Sequence, residues 1–479
     1  MAPPLSILLS LLFSCSLFFP LSSSSSSPGP VSLPLHRLSL LPHPEPFQRL
    51  AGLANASVFR ASLLKNPKTA THPARASLFP HSYGGYSLTL AFGTPTQKIP
   101  LLLDTGSQLT WIPCTASYQC RRCASLAYPA GPTAAFLPKP SSSARLIGCR
   151  NPKCSWIHSP ELLSRCKDCP SSTNNSSSSG CPVVCPPYVF IYGSGSTAGV
   201  LLSETLSLPG RTVTDFAVGC SVYSDGQPAG GIAGFGRGAP SIPAQLGLKR
   251  FSYCLISRRF DDDAAERGSV VLDGARDSSA DAVSFTPFLK NPSPSPSAAD
   301  LSAFSVYYYV GLRKITVGGK KVKIPYSTLV PGPDGNGGTI VDSGTTFTYM
   351  EPAVLEPVAA AFTDRLAGRL NRSTTVERQT GLRPCFAVPP VAAAKKLELP
   401  EMVLHFKGGA EMRLPVENYF AFVGESREAA AVCLTVVSDG GVAGGPAIIL
   451  GSFQQQNYYM VYDLQRERLG FRRQSCIGS

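Results

Sequence analysis

The chain is written in short apolar runs. "YSLTLAFG" alternates apolar and polar positions, the period of a half-buried strand, and "KIPLLLD" is a compact apolar run that fits a buried one. "VYYYVGL" reads as the strand that opens a second half. One later stretch, "PAVLEPVAAAFTDRLAGRL", keeps its apolar residues on one face with Pro near its start, which predicts a helix. Ahead of Tyr83, "FQRLAGLANASVFRASLLK" has helical spacing and a basic polar face, within a stretch rich in Pro, Ser, Leu and basic residues. A Pro/Ser-rich linker, "FLKNPSPSPSAADLSAF", separates two halves of comparable size. The pattern predicts a mainly β protein in two lobes.

Self-similarity sharpens that picture. "LLLDTGSQLT" is echoed by "TIVDSGTTFT", each a three-residue apolar lead-in followed by Asp, a hydroxyl, Gly and a second hydroxyl. Each half then carries a later apolar-apolar-Gly stretch, "GIAGFG" and "AIILGS", in the same order. One Asp-Thr-Gly alone suits a tight turn. Two matched blocks with matched partners predict a duplicated lobe bearing one carboxylate per copy, Asp104 and Asp342.

Composition places the chain in a class and a compartment. Of 479 residues 43% are hydrophobic and 15% charged, which describes a globular chain, and 43 Gly with 44 Pro favour short strands and turns. The N-terminal run "LSILLSLLFSCSLFFPLSSSSSS" reads as a secretory signal over residues 1–25. Residues 26–78 read as a propeptide, with a flexible arm as the alternative. The lobes are expected over 79–295 and 296–479. Of 15 cysteines, Cys15 lies in the signal, which leaves an even number for disulfides in an oxidising compartment. Nine of them fall in an insertion over residues 114–185. Its C-x-x-C pairs match zinc spacing, but an exported chain without a nearby ligand-spaced His points to disulfides. The formal charge of +13 falls by five if residues 1–80 are removed. The remainder suits either a plain solvated surface or association with acidic cell-wall polymers. No nucleic-acid module, phosphate loop or spanning segment is present in the sequence.

Two facing carboxylates define a chemistry. At about 3 Å they cannot both ionise near neutrality, so they share a proton and titrate as a pair. The neutral one donates while the charged one accepts from a water between them: general acid–base hydrolysis without metal, cofactor or covalent intermediate. Gly106 and Gly344 let the loops turn. Thr105 and Ser343 are placed to bond across to the opposite loop, and Ser107 and Thr345 to donate to the outer carboxylate oxygens. Serine- or cysteine-based hydrolysis needs a His beside its nucleophile. Only His81, His158 and His405 follow the N-terminal stretch, and the latter two read as structural.

On "DTGSQLTW", "DSGTTFTYM", "FIYGSGSTAGVLLSETL" and "AIILGSFQQQNYYMVYDLQRERLGF", the chain resembles pepsin-like aspartic proteases of the plant nepenthesin type, from about Tyr83 to the end. The resemblance implies a bilobal fold of two β-barrel-like lobes around a central cleft. It makes Asp104 and Asp342 the catalytic pair and Tyr192 the flap tyrosine that closes over substrate. Gly193 then lets the flap turn, and Trp111 is the indole that bonds the flap tyrosine. It also implies a Cys385–Cys433 bridge and no plant-specific saposin-like insert. The expected function is a secreted, monomeric endopeptidase cutting polypeptides at acidic pH, in the apoplast or cell wall, with the vacuole as alternative. The rival is a catalytically silent binding protein on the same fold, such as an inhibitor of cell-wall-degrading glycosidases. Asn55, Asn174, Asn175 and Asn371 are candidate glycan acceptors.

Overall fold

The computed structural model describes residues 30–37, 45–65, 84–123, 135–159, 162–164, 184–192, 195–257, 267–273, 283–292, 301–388, 398–424, 431–439 and 444–477. The signal-like run, Gly193, Asn174 and Asn175 lie outside them. Strands are the commonest regular element, and the architecture is the mainly β, bilobal one the sequence predicts.

The duplication is visible in the strand pairing. In the first copy the strand Gln97–Asp104 runs parallel to Ile232–Gly234, with Gly234 opposite Asp104. Ile232 pairs antiparallel with Trp111, and Trp111 pairs parallel with Gly219. In the second copy Thr339–Val341 runs parallel to Ile448–Leu450. Ile449 pairs antiparallel with Tyr349, and Tyr349 pairs parallel with Val437. Gly234 and Gly451 occupy equivalent, equally tight positions. A Cβ on the first would lie 2.3 Å from the Gln108 carbonyl oxygen, and on the second 2.4 Å from that of Thr346. Only glycine lets each loop close onto its partner strand.

A long sheet joins the halves. The strand Arg250–Cys254 pairs on one edge with Tyr458–Asp463 and on the other with Gly268–Leu272. Beyond it lies the N-terminal strand Val31–Arg37, which buries Val31, Leu33 and Leu35 and continues into pairing with Tyr86–Phe92. The Cys254–Cys476 disulfide fastens this sheet to the C-terminal end. Near the first copy, Cys114–Cys220, Cys120–Cys123 and Cys154–Cys185 are bridged. Cys149 is also disulfide-bonded. Cys385 and Cys433 face each other on adjacent strands and are bridged.

The helical content exceeds the single helix expected in the second half. The helix Pro352–Leu366 is there, burying Val354, Leu355, Val358, Phe362 and Leu366. A second, Thr374–Thr380, is short and polar, capped by Ser373 at its start and by Gly381 in the left-handed conformation at its end. The N-terminal helix Pro46–Lys65 forms where helical spacing predicts it. Its Leu50, Leu53, Ala54, Ala61 and Leu64 pack with Tyr307, Phe347 and Tyr349 of the second half. It is a docked element, not a flexible arm. The expected linker carries a short 3-10 turn, Leu301–Val306. Among the described residues no helix is long and apolar enough to cross a membrane.

Candidate active site

Each aspartate ends a buried strand and is held by its own loop. Gly106 N–H donates to Asp104 Oδ1 at 2.9 Å, and Ser107 Oγ donates to Oδ2. In the second copy Gly344 N–H donates to Asp342 Oδ1 at 3.0 Å and Thr345 Oγ1 to Oδ2 at 2.6 Å. The loops also lock to each other. Thr105 N–H donates to Ser343 Oγ at 3.1 Å, and Ser343 N–H to Thr105 Oγ1 at 2.9 Å. Each hydroxyl then donates onward across the axis, Thr105 to the Val341 carbonyl at 3.3 Å and Ser343 to that of Leu103 at 2.9 Å. These four buried bonds fix the separation of the carboxylates. The glycines matter for the same reason. A Cβ on Gly106 would stand 2.7 Å from Asp342 Oδ1, and one on Gly344 2.5 Å from Asp104 Oδ1. The six loop-support residues named from sequence are thus brought together in one place.

The outer supports follow from the C-terminal block. Gln454 Oε1 accepts from Thr348 N–H at 2.9 Å and Thr348 Oγ1 at 2.6 Å, while its amide donates to the carbonyls of Asn418 at 2.9 Å and Thr435 at 3.0 Å. Gln455 donates to the Leu450 carbonyl at 2.8 Å. The Gln-Gln pair therefore braces the second aspartate loop from below. On the other side, Trp111 is wholly buried beside the first loop. Tyr192 closes the strand Tyr188–Tyr192, which pairs with Gly195–Leu208 as the predicted hairpin. His158 Nε2 donates to the Pro186 carbonyl at 2.8 Å, and His405 lies between Thr316 and Glu411; neither bonds to Asp104 or Asp342. Asn55 and Asn371 are exposed.

A residue that sequence reasoning passed over occupies the centre. Arg60, on the N-terminal helix, donates from Nη2 to Asp104 Oδ1 at 2.7 Å and from Nε to Asp342 Oδ2 at 2.9 Å. Both carboxylates are fully buried and the Arg60 side chain is only 12% exposed. Its charge splits the pair. Burial pushes the Asp104 carboxyl up, Arg60 pulls it down and the neighbouring Asp342 pushes it up again, leaving it at about 6. Burial also pushes Asp342 up, but the charge and hydrogen bond of Arg60 outweigh that, and its carboxyl ends below the ordinary value. The proton-sharing pair expected from sequence is here an Asp–Arg–Asp bridge. Farther along the same helix, Lys65 Nζ donates to Tyr349 Oη at 2.6 Å and lies 3.6 Å from Glu351 and 3.7 Å from Asp439. The clue in the sequence was a basic face on a helix with almost no acids nearby, which says nothing about where that face docks.

Two family models cover this chain, one described as xylanase inhibitor N-terminal over residues 86–272 and one as xylanase inhibitor C-terminal over residues 307–473. A protein of Arabidopsis thaliana named a probable aspartyl protease is 33% identical over 432 residues, covering 82% of each chain. The chain belongs to the plant nepenthesin-like family of atypical aspartic proteases. Aspartic proteinase nepenthesin-2 of Nepenthes gracilis is 32% identical, with 83% of this chain and 79% of that one covered. Solved structures share the fold at lower identity. The structure of edgp matches with TM-score 0.63 and 19% identity, covering 93% of this chain and 95% of that one. Basic 7S globulin from soybean matches with TM-score 0.60, also at 19% identity, covering 94% of this chain and 99% of that one.

Proposed function

We propose that this chain is the precursor of an aspartic endopeptidase that hydrolyses peptide bonds at acidic pH once the N-terminal helix has left the cleft. The observation that carries the reading is the pair of equivalent loops, each holding a buried carboxylate by a backbone N–H and a hydroxyl and tied to the other by four bonds. That support is what a carboxylate pair needs to hold and move protons in a fixed geometry. With Arg60 gone, one carboxylate takes a proton from a water as its oxygen attacks the peptide carbonyl carbon, and the other protonates the carbonyl oxygen. The tetrahedral diol then collapses, the amide nitrogen takes a proton and the C–N bond breaks. The guanidinium now occupies the space where that water and the scissile bond would lie, so the intact chain is latent. Export, with retention at an acidic cell wall by the basic surface, accompanies this reading.

The second reading is a binding protein without turnover. The printed description of the matching family models, xylanase inhibitor, favours it. Chain processed at acidic pH, incubated with a denatured protein at pH 3–5, separates the two. Cleavage blocked by a pepstatin-type inhibitor and reduced about 10²-fold or more by Asp104→Asn or Asp342→Asn supports the endopeptidase. Cleavage that survives both substitutions, or none after verified removal of the helix, overturns it. Release of the protein from wall material by high salt tests retention there.

A further inference from the structure

The Lys65 ammonium sits in a pocket of the second half, and the pocket has a life beyond its present occupant. The Lys65 side chain has no exposed surface. Its Nζ donates to Tyr349 Oη, whose hydroxyl donates in turn to Asp439 Oδ1 at 2.7 Å. The ammonium also lies 4.8 Å from the centre of the Tyr349 ring. Asp439 is nearly inaccessible, whereas Glu351 is partly open to solvent. The helix backbone seals the mouth: a Cβ on Gly445 would lie 2.4 Å from Lys65 Cα, and Tyr307 Oη donates to the Leu64 carbonyl at 3.3 Å. An aromatic wall, a buried carboxylate and a second carboxylate at the rim make a socket for a long, flexible cation.

We infer that, in the processed protein, the Tyr349–Glu351–Asp439 pocket is a substrate subsite that accepts a lysine or arginine side chain. The inference rests on the endopeptidase reading and adds the class of substrate. Withdrawing Lys65 takes a cation away from between the Tyr349 ring and the Asp439 and Glu351 carboxylates, an arrangement that favours another cation of the same reach. The pocket's distance from the chemistry fixes the register. Lys65 lies five helical residues beyond Arg60, about 7.5 Å along the axis. An extended substrate advances about 3.3 Å per residue, so the socket takes a side chain two to four residues from the scissile bond.

The test uses processed protein and matched peptides of one sequence, carrying lysine or norleucine at each position two to four residues to either side of the scissile bond. At one of these positions lysine is expected to raise kcat/KM at least about tenfold over norleucine. Asp439→Asn combined with Glu351→Gln is expected to bring that ratio close to one. Equal rates for lysine and norleucine at all positions, or a ratio untouched by the double substitution, overturn the inference while the endopeptidase reading stands. If no peptide is cut, that reading fails instead, and the socket is read by binding. Fluorescence anisotropy of the same peptides on processed Asp104→Asn protein supports it if lysine binds tighter and the double substitution removes the difference. Equal binding overturns it.

Discussion

Trp111 and Tyr349 are the same residue of a duplicated plan. Each stands in the short strand after its aspartate loop, antiparallel to the strand that braces that loop. Around them the copies have diverged. The strand of Trp111 leads directly into Cys114, whose disulfide to Cys220 locks that side into the first lobe. Tyr349 faces the N-terminal helix and takes a hydrogen bond from Lys65. Next to it, Phe347 N–H donates to Ser57 Oγ of the helix at 2.9 Å. The loops themselves are almost interchangeable, whereas their surroundings are not. The contrast shows that the pair's asymmetry is not written into the Asp-Thr-Gly and Asp-Ser-Gly loops. It is imposed by a helix that packs on one copy and reaches the carboxylate of the other through the Arg60 guanidinium.

Removing that guanidinium breaks the comparison most directly. Arg60→Met leaves two buried carboxylates without their shared cation and removes the ion pair between the helix and the first copy. Breaking a buried ion pair costs roughly 3–5 kcal/mol, part of which the carboxylates recover by sharing a proton. Unprocessed Arg60→Met chain is therefore expected to cleave a denatured protein about tenfold to a hundredfold faster than unprocessed wild type. Equal latency of the two would show that apolar packing alone closes the cleft.

The pH dependence of stability separates the two aspartates. The groups around them are Arg60, Tyr307, Tyr253 and Tyr462, besides each other. The Asp104 carboxyl is raised to about 6 from 3.8, so the folded chain takes up a proton between those values. Its contribution is complete below 3.8 and is lost as the pH rises through 6, by about 3 kcal/mol. The Asp342 carboxyl is lowered, so its contribution is present above 3.8 and lost as the pH falls through its folded value. Together they are greatest near 3.8 and decline on either side, towards 6 through Asp104 and in stronger acid through Asp342. Thermal midpoints of intact chain across pH 2.5–8 are expected to show both limbs. Asp104→Asn should flatten the upper one and Asp342→Asn the lower; the reverse assignment would refute the split.

The smallest effect concerns the tie between the loops. Thr105→Val keeps the shape but deprives the buried Ser343 N–H of its acceptor. The expected loss is about 1–3 kcal/mol in denaturant unfolding. Ser343→Ala should cost a similar amount from the other side, and a large difference between them would mean the tie is not reciprocal.

The duplicated plan could be read in the sequence because repetition carries its own register: three apolar residues before each aspartate and one glycine after each bracing strand. The helix Pro352–Leu366 was readable because five buried apolar positions recur on one face. Thr374–Thr380 was not, since it is short, polar and held by its caps. The N-terminal strand did carry alternation at Val31, Leu33 and Leu35, but Pro34 and the serine-rich run before it masked the signal. Arg60 and Lys65 could not be read at all. Their partners lie as far along the chain as Asp439, and one basic residue on a helix has no spacing that marks a carboxylate pair or an aromatic socket. The bridges Cys114–Cys220 and Cys254–Cys476 were hidden likewise, because they join segments that only the finished sheet brings together.

The strand Val31–Arg37 and the helix Pro46–Lys65 are neighbours in sequence, yet they are fastened by different forces. The strand is held by backbone pairing with Gly268–Leu272 and by buried aliphatic side chains, with only His36, held below its usual value by burial and by Arg267, taking up charge in acid. The helix rests on ionic contacts to aspartates as well as on its apolar face. Acid strong enough to protonate both aspartates is therefore selective: it loosens the ionic hold on the plug and leaves the backbone pairing and aliphatic contacts of the strand in place. Two cuts, one between strand and helix and one between the helix and Tyr86, would let the helix diffuse away while the strand stays stitched into the sheet, a short peptide held in a protein it is no longer joined to.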